Sequence, residues 1–273
     1  MRKTINKLFL IITVISALLL TTGCDLFIKT NKGQVDQKWY MGLTYEDDNG
    51  NDTDYTIGTD GTIAAVALED GYGDEFGIIK GEEAYLNINT IIKNIDKRFY
   101  VDATNNLVMF TDATKTYKTK IGGKTINETE NTDYVISFMD GKNCYVNVKF
   151  VKKYVDFDYK VVKAEGKSPA RIVLKYTSGE KNQMTVKSNI EMRTKADYQN
   201  LIVTTLKKNT KVTVLEESGD WTKVGTDDGF MGYVPAKKLK DKETKKTEFK
   251  SDADTYTHVL MNKKISLGWN AIT

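Results

Sequence analysis

Few side chains in this 273-residue chain are equipped for covalent or metal chemistry. Its one histidine is His258, so residues 25–257 offer no imidazole as a general base or metal ligand. Cys144 lies in the apolar run Cys144-Tyr145-Val146-Asn147-Val148, the setting of a buried and inert thiol. Asp47, Asp48, Asp52 and Asp54 are the kind of carboxylate cluster calcium uses, but they lack the spacing of a calcium loop and read as a solvated hairpin tip. No phosphate-cradling glycine pattern and no zinc-type Cys/His cluster occurs. The expectation is therefore no catalytic residue, no metal site and no cofactor. Recognition remains. Tyr198, Trp221 and Tyr233 can line a shallow groove where rings stack on sugar or peptide planes and polar ring ends hydrogen-bond at the rim. Trp221 is better suited to packing the interior of a small β-fold than to the groove, which leaves Tyr198 and Tyr233 as the main contacts, and Arg193 suits an ion pair or a backbone contact better than a ligand.

The elements that must position these rings begin after a leader. Arg2, Lys3 and Lys7 precede a 13-residue apolar run at residues 8–20, too short to span a bilayer comfortably, followed by Thr21-Thr22-Gly23-Cys24. This layout resembles a bacterial lipoprotein signal, which implies removal of residues 1–23 and lipidation of Cys24, with ordinary secretion or an uncleaved anchor as the alternatives. Two acyl chains would hold the protein stably on a membrane, on the outer face of the cytoplasmic membrane. The precursor carries 40 Lys and Arg against 37 Asp and Glu, but three of the basic residues belong to the leader. The remainder is near neutral, which argues against nucleic acid as a partner. With Cys24 lipidated, Cys144 has no partner for an intrachain disulfide.

From residue 183 the pattern is strands and turns: 184–186, 190–193, 202–206, 211–216, 221–225 and 230–235. Six short strands in so little chain suit a small barrel. The motifs Ile190-Glu191-Met192-Arg193, Gly219-Asp220-Trp221-Thr222-Lys223-Val224 and Gly229-Phe230-Met231-Gly232-Tyr233-Val234 resemble the bacterial SH3 domain over residues 183–239. That resemblance implies binding of peptidoglycan or another cell-wall polymer, with Tyr198, Trp221 and Tyr233 as the candidate contacts.

Upstream, residues 81–102 align without a gap on residues 141–162, matching Gly81 with Gly141, Tyr85 with Tyr145, Asn87 with Asn147 and Asp96 with Asp156. Ile88, Ile91, Ile92 and Ile95 fall at helical spacing, and strand-like pairs follow in both copies. The reading is two helix–hairpin repeats, at about 81–112 and 141–177, packed on one sheet. With Tyr85-Leu86-Asn87-Ile88 and Tyr145-Val146-Asn147-Val148 before the helices, about residues 75–177 resemble the copper amine oxidase N-terminal-like domain, which implies such a domain at 37–180. The lack of histidine argues against copper itself.

The expected order is thus a signal (1–23), a tether (24–36), the duplicated domain (37–180), the SH3-like barrel (183–239) and a Lys/Glu-rich linker (240–252). A terminal segment (253–273) completes it. The fold class is α+β, mostly β. Within the last segment, Lys264-Ile265-Ser266-Leu267-Gly268-Trp269-Asn270-Ala271-Ile272-Thr273 resembles the opening strand of family 18 glycoside hydrolases. The acidic D-x-x-D-x-D-x-E signature of that family is absent, so the resemblance implies a chitinase-like domain truncated at Thr273. A non-catalytic surface adaptor is the competing expectation.

Overall fold

The structure, a computed structural model, describes residues 30–250. The leader with Cys24, His258 and the run 264–273 lie outside the described residues. A short helix α1 (Gln37–Tyr40) starts at Asp36, whose carboxylate accepts from the Lys38 and Trp39 amides. The hairpin of β1 (Thr44–Glu46) and β2 (Asp52–Asp54) turns at Asp47, whose Oδ1 accepts from the Asn49 and Asn51 amides. The acidic tip is thus used in closing its own turn.

Strands β3 (Thr62–Ala67), β4 (Gly77–Lys80) and β5 (Glu83–Asn87) form an antiparallel meander. Helix α2 (Ile88–Thr90) continues as a wider π-type turn over Ile91–Ile95. Next come β6 (Phe99–Asp102), β7 (Leu107–Thr111) and β8 (Thr116–Lys120), a separate three-stranded sheet, and the small pair β9 (Thr125–Ile126) and β10 (Glu130–Asn131). Strands β11 (Ser137–Asp140) and β12 (Asn143–Asn147), helix α3 (Val148–Lys152), β13 (Asp158–Val162) and β14 (Ala170–Lys175) complete this part. The large sheet runs β11-β12-β5-β4-β3-β14-β13, with β14 parallel to β3.

The strands that follow are β15 (Gly179–Val186), β16 (Ile190–Arg193), β17 (Ile202–Leu206), β18 (Lys211–Ser218), β19 (Trp221–Gly225), β20 (Met231–Pro235) and β21 (Leu239–Thr247). They pair in the order β17-β16-β20-β19-β18-β15-β21.

Side-chain alternation sends residues of the first large sheet into two cores, one on each face. Ala84 and Leu86 of β5, with Cys144 and Val146 of β12, enter a core with Ile91, Phe99, Phe110, Phe150 and Phe157. Tyr85 and Tyr145 point the other way. They join Val35, Met41 and Leu43, together with Val186, Met192, Val203, Val224 and Val234 from the second large sheet.

Four expectations need correction. The segments 81–112 and 141–177 do not form two equivalent helix–hairpin units on one sheet. Strands β5 and β12 do pair, with Tyr145 opposite Asn87, but β6–β7 join β8 whereas β13–β14 extend the large sheet. The difference lies in the central strand of each hairpin: Ala170 to Leu174 of β14 are buried in succession between β3 and β13 inside the large sheet, whereas Val108 to Phe110 of β7 are buried between β6 and β8 in a sheet of their own. The second sheet is an open ladder among the described residues and not a closed barrel, because its end strands β17 and β21 each pair with one neighbour, β16 and β15, and not with each other. The expected linker is in large part β21, a strand of polar residues held by backbone pairing to β15. Finally, residues 30–36 of the expected tether lie against β17, with Gln34 bridged to Ile202 in parallel and Val35 buried.

Candidate functional site

Arg193 organises the aromatic region. It is 1% exposed, and its Nη1 donates to the carbonyls of Asn31 (2.9 Å), Tyr198 (2.9 Å) and Asn200 (2.6 Å). Its Nη2 donates to Glu191. These charge-assisted bonds fix the loop between β16 and β17 that presents Tyr198. Tyr198 meets Trp221 edge-on, with centroids 4.8 Å apart and planes at 63°.

Trp221 opens β19 opposite Pro235 of β20. Alternation sends Thr222 and Val224 inward and leaves Trp221 and Lys223 outward. Tyr233, opposite Lys223, shares this outward face. The fold thus brings Tyr198 and Trp221 into ring contact and sets Tyr233 one strand across, all three half-buried. Trp221 is not part of the interior.

Toward Met231 the same face is covered. Tyr40 Oη donates to the Met231 carbonyl at 3.0 Å, and Tyr72 Oη donates to the Gly229 carbonyl at 3.0 Å. Burial raises the pKa of both phenols, Tyr40 to about 12. Arg171, 3% exposed, lies 4.2 Å from the Phe230 ring centroid and donates to the Asp228 carbonyl at 2.6 Å. Burial lowers the Arg171 pKa, opposed by the Asp228 charge. Sequence reasoning misses this joint. Its one signal is a lone arginine within the apolar run Ala170-Arg171-Ile172-Val173-Leu174, which demands a buried partner.

Burial also raises the Cys144 thiol to about 11, which suppresses thiolate chemistry. No group of three or more His, Cys, Asp or Glu is placed to hold a metal ion among the described residues.

Residues 188–240 match the family model for the bacterial SH3 domain. No curated protein and no solved structure matches the chain.

Proposed function

We propose that residues 188–240 bind cell-wall polymer, with Tyr198, Trp221 and Tyr233 forming the contact surface. The bacterial SH3 match carries this reading, since such domains commonly bind wall polymers. The Tyr198–Trp221 ring pair supplies stacking surface, while the covered Met231 end confines a ligand to the opposite end of the face. Lipid on Cys24 would keep this activity at the cell surface, and a family 18-like domain following Thr273 would make it the targeting region of a glycosidase. Those two extensions rest on sequence resemblance alone.

Sedimentation with purified sacculi tests the binding surface. A folded Tyr198→Ala/Tyr233→Ala chain is expected to remain in the supernatant. If it sediments like wild type, the aromatic face is not the site.

A further inference from the structure

A cleft of about 370 Å³ lies between the two large sheets, within the usual size range for small-ligand sites. Ion pairs Lys175–Asp227 (3.0 Å) and Lys181–Glu69 (2.9 Å) bridge its two walls. Leu68, Val173, Leu215 and Met231 supply aliphatic surface, and Gly225 leaves space on the β19 wall. No aromatic residue lines it, so it has no stacking surface for a sugar ring or base.

Its charges are not fully matched. Lys181 and Lys245 stand directly opposite each other on β15 and β21, an arrangement of like charges that costs stability. Glu69 takes up Lys181, and the other two carboxylates on the walls are also engaged, Asp158 by Lys152 and Glu248 by Lys246. Lys245 has no carboxylate within ion-pair distance among the described residues, which leaves one cation unneutralised on the wall. The Gln183 amide and Thr213 hydroxyl lie nearby, on adjacent strands of the same sheet.

We propose that this cleft binds a short aliphatic peptide by its free carboxylate, with Lys245 as the cationic contact and Gln183 hydrogen-bonding to the peptide amide. The charge complementarity and the aliphatic lining select this occupant. The inference is independent of the aromatic face.

The test titrates the full chain with acetyl-Ala-Ala-Ala and with its C-terminal amide, followed by calorimetry and by the backbone NMR shifts of residues 183, 225 and 245. The free acid is expected to bind roughly tenfold more tightly than the amide, as loss of one charged hydrogen bond implies. Lys245→Gln should abolish that difference. Gly225→Val should block both peptides, and its added Cβ meets Leu215 at an ordinary 3.5 Å, so the fold is expected to persist. Equal affinity of acid and amide, no binding of either, or unchanged binding by Lys245→Gln would each overturn the proposal. A Tyr198→Ala/Tyr233→Ala chain should still bind the peptide, which separates failure here from failure of the wall-binding surface.

Discussion

At the residue scale, Arg193 matters for position and not for contact with ligand. Replacing it by alanine strips a charged donor from three carbonyls, and the expected loss is about 3 kcal/mol in urea unfolding. Arg193→Lys should recover only part of it, because an ammonium cannot reproduce the planar fork. A loss well under about 1 kcal/mol would mean that water replaces the guanidinium. Glu69 gives a pH-dependent counterpart. Burial raises its carboxyl, but hydrogen bonds from Thr177, Lys181 and the Thr177 and Tyr176 amides outweigh that and hold it below its ordinary 4.5. A depressed folded pKa contributes stability that is complete above the ordinary value and lost as pH falls through the folded one. Glu69→Gln should therefore be less stable near neutrality and show a flatter acid limb below pH 4.5. Identical acid limbs would remove Glu69 from the response.

At the element scale, the turn between β19 and β20 is shaped by its neighbour. Gly229 has φ +85°, and a Cβ there would lie 2.8 Å from Val173 Cγ2. Gly229→Ala combines backbone strain with a clash and should cost about 2–3 kcal/mol by thermal or chemical unfolding. Val173→Ala in the same chain should recover part of the clash. Full recovery would assign the cost to contact alone. The strand positions of the second sheet are legible in the sequence because buried and open residues alternate, as at Trp221, Thr222, Lys223 and Val224. Strand β21 is not, since a polar edge strand held by backbone pairing leaves no apolar period to read.

At the scale of the molecule, the second core draws residues from both sheets: Ala65, Ile78 and Tyr145 from one side, Met192, Val224 and Val234 from the other. The two parts should unfold together. Calorimetry is expected to give one transition with equal calorimetric and van't Hoff enthalpies. Two resolved transitions would show that the shared core and the Arg171–Phe230 joint do not couple them.

The mostly-β character, the SH3-type strands, the aromatic candidates and the scarcity of catalytic side chains can all be read from the order of residues. Periodicity reveals which face of a strand is buried, as in Tyr85 and Leu86, but not what covers it. Three features emerge only when the chain is folded: residues 30–36 pack on β17, β6–β7 and β13–β14 part company, and Lys245 faces a cleft. Each depends on contacts between segments far apart in the chain, where local pattern carries no information about the partner.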